Sequence, residues 1–168
     1  MRSLFICMLM TCSLSSYNQE STESIRKAID TQVWHPFHDA FEKLNPVALN
    51  ELYAEDVIRV TPAGLDTEEV FKKNNVVRFN KNKEDGVKIL LDFWFESRDT
   101  DATTSYEVGF FKITSTDGSG VSRETYGQFH IVLKQIGGIW KITQDYDTTE
   151  LNGQKITAAD FNRNSIQF

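Results

Sequence analysis

The stretch from Ser105 to Thr149 leaves few choices of fold. Three runs rich in Val, Ile, Thr, Tyr, Phe and Trp are separated by two glycine turns, Asp117-Gly118-Ser119-Gly120 and Gly137-Gly138. β-branched and aromatic side chains suit a pleated surface, and Gly supplies the positive φ that tight hairpins need. The pattern predicts a three-stranded antiparallel meander. Gly118-Ser119-Gly120 is turn chemistry and not a phosphate cradle, because no helix follows it.

Upstream the periodicity changes. Ile25, Ile29, Val33, Phe37, Ala40, Phe41 and Leu44 recur at helical steps and form one apolar face. Pro36 lies within that run and predicts a kink or a junction of two helices. Asn45-Pro46 is a helix start, followed by a short second helix from Val47 to Ala54. Val57–Thr61 reads as a first strand, stopped by Pro62-Ala63-Gly64. Asp66 with Glu69 has capping-box form and opens a third helix. Its apolar positions are Val70, Phe71, Val76, Val77 and Phe79. Val87–Glu96 is the second strand. Val87, Ile89, Leu91, Phe93 and Phe95 fall on one face, and Lys88, Leu90, Asp92, Trp94 and Glu96 on the other. Helices gathered ahead of an antiparallel sheet give an α+β fold. A strongly curved antiparallel sheet wrapped around the N-terminal helices would enclose an apolar cone.

With 168 residues the chain has room for one domain and a leader. Residues 1–19 have the three parts of an export signal: Arg2, an apolar core from Leu4 to Met10, then Ser and Thr. Leu9-Met10-Thr11-Cys12 resembles a bacterial lipobox, in which Cys12 would be acylated, although Met and Thr are not the usual small residues there. Residues 20–168 are then a polar tether, a single domain and a C-terminal tail. The expectation is an exported chain, periplasmic or extracellular, that touches a membrane only through a lipid on Cys12. The net charge of −6 and the scattered basic residues argue against nucleic acid. Both cysteines, Cys7 and Cys12, lie in the leader, so the body has no disulfide and no thiol nucleophile. The three histidines show no HxH or HExxH spacing, so neither a metal nor another cofactor is expected.

The element order resembles the nuclear transport factor 2-like superfamily, a cystatin-like α+β roll. The segments that carry the likeness are LYAEDVIRVTPAG (Leu52–Gly64) and GGIWKITQDYDT (Gly137–Thr148), and it extends over Ser24–Glu150. The SnoaL-like and DUF4440-type branches look closest. The resemblance implies a cone of curved sheet and helices with a pocket at its wide end. It implies no single function, because the superfamily is similar to isomerases, dehydratases, transport factors and dimerising domains alike.

Two enzyme constellations can be tested against the sequence. The steroid isomerases of the superfamily use an Asp before the Pro of the first strand and a Tyr on the first helix. The resemblance places these roles at Thr61 and Phe37, neither of which has the needed chemistry. The dehydratase-like members resemble a His–Asp pair across the pocket. His130 lies seven residues before Gly137 and Asp145 seven after Gly138, so the two face each other across the predicted hairpin. If Trp140, Ile142, Gln144 and Tyr146 point inward, Asp145 points outward, and a bulge would reverse the last two.

The pocket lining expected from the sequence is Trp34, Phe37, His38, Tyr53, Trp94, Phe110, Tyr126, His130 and Tyr146. Arg59 and Arg78 stand ready to meet a carboxylate. Such a lining suits a small apolar ligand with one or two polar groups. The sequence reading is therefore a ligand-binding or homodimerising domain without catalysis. The alternatives are a lyase or isomerase using His130 with Asp145, or a filled structural module.

Overall fold

A computed structural model describes residues 21–61 and 64–163. The expected leader, with Cys12, lies outside them. The described residues open with α1 (Thr22–Ile29), a π-helical turn (Asp30–Trp34) and α2 (His35–Glu42), which run on continuously. The break expected at Pro36 takes the form of that wide turn, in which the His35 N–H reaches back to the Asp30 carbonyl. Helix α3 (Pro46–Asn50) is capped by Asn45, whose side chain accepts from the Ala48 N–H. It is shorter than the sequence suggested, and Tyr53 and Ala54 belong instead to β1 (Tyr53–Thr61).

A short strand, β2 (Gly64–Asp66), folds back on β1, and α4 (Val70–Glu84) follows. Asp66 caps α4 by accepting from the N–H groups of Val70 and Phe71 at 3.2 and 2.6 Å. The capping box does not close. Glu69 sits in the left-handed region at φ 59°, and its carboxylate meets Lys72 at 2.5 Å. Four long strands complete the sheet: β3 (Lys88–Thr100), β4 (Thr104–Thr116), β5 (Ser122–Ile136) and β6 (Ile139–Thr148). The strand order is β2-β1-β6-β5-β4-β3. The meander β4-β5-β6 is antiparallel as expected, whereas β1 joins β6 in parallel. The sheet is therefore mixed, and the α+β architecture stands.

The α1–α2 segment lies in the concave side of the sheet. Ile29, Val33, Leu133 and Ile142 are fully buried there. Trp34 sits among Phe37, Phe93, Phe95 and Phe129 with ring centroids 5.2–5.8 Å apart. Gly127 of β5 leaves room for the ring of Phe111, its cross-strand partner on β4. A Cβ on Gly127 would lie 2.2 Å from that ring.

Two bulges set which residues look inward. Leu133 pairs with Ile142 but Val132 pairs with Gln144, so Thr143 is the extra residue of β6, its hydroxyl donating to the Val132 carbonyl. The inward series thus changes from Trp140 and Ile142 to Asp145 and Asp147. A similar shift in β3, between Phe95 and Ser97, brings Arg98 to the same face as Phe93 and Phe95.

The C-terminal segment crosses the convex face. A hairpin of β7 (Glu150–Leu151) and β8 (Gln154–Lys155) leads into α5 (Ala158–Phe161), which has a closed Thr157–Asp160 capping box. Ile156 and Phe161 bury Trp94 and Phe110, and the Trp94 Nε1–H donates to the Phe161 carbonyl at 2.8 Å.

Candidate functional site

A cavity of about 340 Å³ opens between α4 and the concave sheet. Trp34, Phe37, Phe41, Phe71, Phe93, Phe111 and Phe129 form most of its wall. The π-helical turn supplies Trp34, and α2 supplies Phe37 and Phe41 through its apolar stripe. Alternation along β3, β4 and β5 supplies the last three.

One side of the wall is polar. Arg59 of β1 stands in parallel register with Asp145 of β6. Its guanidinium donates to the Asp145 carboxylate at 2.5 Å and to the Asp147 carboxylate at 2.8 Å. The Tyr53 hydroxyl donates to the second Asp145 oxygen at 2.9 Å. Asp145 is 6% exposed, so its charge is held by two donors in a dry setting. Burial pushes the Asp145 pKa up, and Arg59 pulls against that rise. Burial, followed by the nearby Asp145 charge, raises Tyr53 well above the ordinary tyrosine value, so it remains a donor. Asp147 is the more accessible carboxylate, with its side chain 36% exposed.

Helix α4 turns an unexpected face to the cavity. Phe71, Asn74, Asn75 and Arg78 line it. Val70, Val76 and Val77, three of the apolar positions read for this helix, are exposed. Asn75 is anchored by donating to the Asn50 side chain at 3.0 Å. Arg78 donates to the Asn75 oxygen at 3.1 Å, and its guanidinium carbon lies 5.5 Å from the Phe41 ring centroid and 5.0 Å from that of Phe79.

A further carboxylate, Glu107, is fully buried beside Trp34. It accepts from Trp34 Nε1 at 2.7 Å, Ser105 Oγ at 2.8 Å and Arg98 Nη2 at 3.1 Å. Burial raises its pKa, with Arg98 opposing. Arg98 also pairs with Asp30 at 2.7 Å, which ties the π-helical turn to the sheet.

Of the residues named from the sequence, Trp34, Phe37, Tyr53, Arg59, Arg78 and Asp145 line the cavity. Thr61 lines it too, so both positions transferred from the isomerase resemblance are cavity positions. The others lie elsewhere. His38 is half-buried beside the cavity, 3.6 Å from Glu42 and with its ring centroid 6.4 Å from that of Phe93. Trp94, Phe110 and Tyr126 belong to the cluster beneath the C-terminal segment. His130 and Tyr146 are cross-strand partners on the convex face.

His130 therefore does not meet Asp145. Asp145 pairs with Ile131, and the Thr143 bulge moves it to the concave side. His130 instead shares a 2.6 Å hydrogen bond with the Tyr106 hydroxyl through Nδ1 and lies 3.3 Å from Gln128 through Nε2. Burial lowers its pKa. Asn74, Asn75 and Asp147 are the polar lining residues that the sequence reading missed. Asp147 had a readable signal, since it lies two residues beyond Asp145 on the same strand face. Among the described residues, no three His, Cys, Asp or Glu side chains converge as a metal site, and no helix is long and apolar enough to cross a membrane.

No protein-family model matches the chain, and a comparison with curated proteins finds no match. Solved structures do match. A conserved protein from Planctomyces limnophilus superposes with a TM-score of 0.63 at 24% identity, over 74% of this chain and 94% of that one. A ketosteroid isomerase-like protein from Erwinia carotovora atroseptica gives 0.56 at 16% identity, over 78% and 95%. A nuclear transport factor 2-like superfamily protein from Salmonella enterica gives 0.56 at 12%, over 76% and 92%. The chain has the nuclear transport factor 2-like fold.

Proposed function

We propose that this nuclear transport factor 2-like domain binds a small, largely aromatic molecule in the cavity between α4 and the sheet. The observation that carries the reading is a wall of seven aromatic rings interrupted by one fixed polar cluster, Tyr53, Arg59, Asp145 and Asp147. Its volume of about 340 Å³ lies at the small end of ligand pockets. Binding is favoured over catalysis because both carboxylates share one guanidinium and Tyr53 holds its proton against Asp145.

Calorimetric titration with 2-naphthol tests this reading. Saturable binding is expected. It should vanish in Ile131→Trp, which fills the cavity, and persist in His130→Ala, on the opposite face. Absence of binding in the wild type, or its loss in His130→Ala, would refute the reading.

The same reading includes export and self-association. It is supported by the leader pattern and by exposed Leu90 and Tyr106 on the convex face. Native mass spectrometry of protein from its own host reports both the mature N-terminus and the subunit number. An unprocessed monomer would remove this part.

A further inference from the structure

The orientation of α4 is the least economical feature of the cavity. A surface helix ordinarily turns its apolar residues inward. Here Val77 is 68% exposed and Val70 47%, while Asn75 is 9% exposed. Placing an amide stripe against an aromatic cavity costs free energy unless polar partners compensate it. Asn75 has such partners in Asn50 and Arg78.

Arg78 is different. Its guanidinium offers five N–H donors. The contact to the Asn75 oxygen uses one nitrogen, and two aromatic rings flank the group. Among the described residues, no carboxylate lies within ion-pair distance of it. The two acids of the cavity are both engaged by Arg59. Arg78 also belongs to an exposed stretch of α4, which places it at the mouth. A planar fork of donors over aromatic rings matches a planar oxyanion that is attached to an apolar body.

We infer that the molecule bound in this cavity is an aromatic carboxylate, its ring system among Trp34, Phe93 and Phe129 and its carboxylate paired with Arg78 beside Asn74. The inference rests on the cavity being a binding site and adds the charge and orientation of the ligand. Arg59, Asp145 and Asp147 then form a closed polar patch that the ring system passes. Arg78 is the group that selects the ligand's charge.

The test uses a matched pair of probes, 2-naphthoate and 2-naphthamide, titrated calorimetrically into the whole chain. The pair differs in charge and hardly in shape. The wild type is expected to bind the acid about tenfold more tightly, the usual gain from a charge-assisted contact. Arg78→Gln should lower the acid's affinity about tenfold more than the amide's, so that the preference disappears. Arg78→Lys, which keeps the charge and loses the fork, should restore part of the preference. An unchanged circular dichroism spectrum and melting temperature show that the variants are folded. Equal affinity for both probes in the wild type, or a preference for the acid that survives Arg78→Gln, would overturn the inference and leave the binding site standing. Failure of both probes to bind would remove the site and the inference together.

Discussion

Arg59 holds a buried charge in place, so replacing it should have a pH-dependent cost. In Arg59→Met the side chain keeps much of its length, and Asp145 loses its ion pair at 2.5 Å. Asp145 is 6% exposed and retains the Tyr53 hydroxyl as a donor. Removing one partner of a buried pair leaves an uncompensated charge and typically costs about 3–5 kcal/mol. At roughly 2–4 °C per kcal/mol for a domain of this size, Tm should fall by about 6–20 °C near neutral pH. The sign with pH follows from the direction of the shift. Burial already raises the Asp145 pKa, and the loss of Arg59 removes the main opposing influence. An acid with a raised folded pKa binds its proton more tightly in the folded state. Its contribution is full below the unfolded value near 3.9 and is lost as pH rises toward the folded pKa. In the variant that window reaches higher, so the gap from wild type should widen between mildly acidic and neutral pH. Thermal unfolding followed by circular dichroism from pH 4.5 to 8 measures this. Adding Asp145→Asn should recover most of the loss, because the buried charge is then gone. A deficit that is the same at both ends of the range, and that Asp145→Asn does not relieve, would refute the reasoning.

Two other outcomes follow from packing. Gly127→Ala should destabilise the fold by roughly 1–3 kcal/mol, since its Cβ would meet Phe111 at 2.2 Å and the Thr148 backbone at 2.8 Å; denaturant unfolding checks this, and a wild-type midpoint would contradict it. Phe161→Ala should cost about 3–5 kcal/mol and shift Trp94 emission to longer wavelength as water enters the convex cluster; unchanged emission would show that the C-terminal segment does not shield Trp94.

The sequence made the strands legible because period-two alternation and glycine turns are local signals. The helical stripe through Ile25, Val33 and Phe41 is equally plain, and it leads to Phe37 on it and Trp34 beside it, both of which line the cavity. The site's chemistry was less legible because it depends on phase. One extra residue at Thr143 places Asp145 and Asp147 inside and Tyr146 outside, and alternation alone could not decide this. The same shift separates Asp145 from His130, which a symmetric count from the turn had placed opposite each other. Helix α4 misled for another reason. Its valines are apolar, but tertiary position put Asn75 and Arg78 against the cavity instead. Trp94 and Phe110 are aromatic but face away from the cone, because Ile156 and Phe161 of the C-terminal segment cover them on the convex side. The Asn152-Gly153 pair of that segment, both at positive φ, is the local hairpin signal there.

The bulge at Thr143 bears on how such a cavity changes over generations. Substitution alters one lining residue at a time. Regular pairing of β6 with all its residues kept and no bulge would exchange the two faces of the strand beyond Ile142, because the side-chain period is two. Gln144 and Tyr146 would enter the cavity, and Asp145 and Asp147 would leave it. A cavity now edged by acids would become a neutral one carrying a phenol, and Arg59 would face it without a counter-charge. For a strand of this kind, a one-residue change of register is a larger chemical step than the replacement of one side chain. The ligand class can therefore turn over abruptly while the fold around it stays the same.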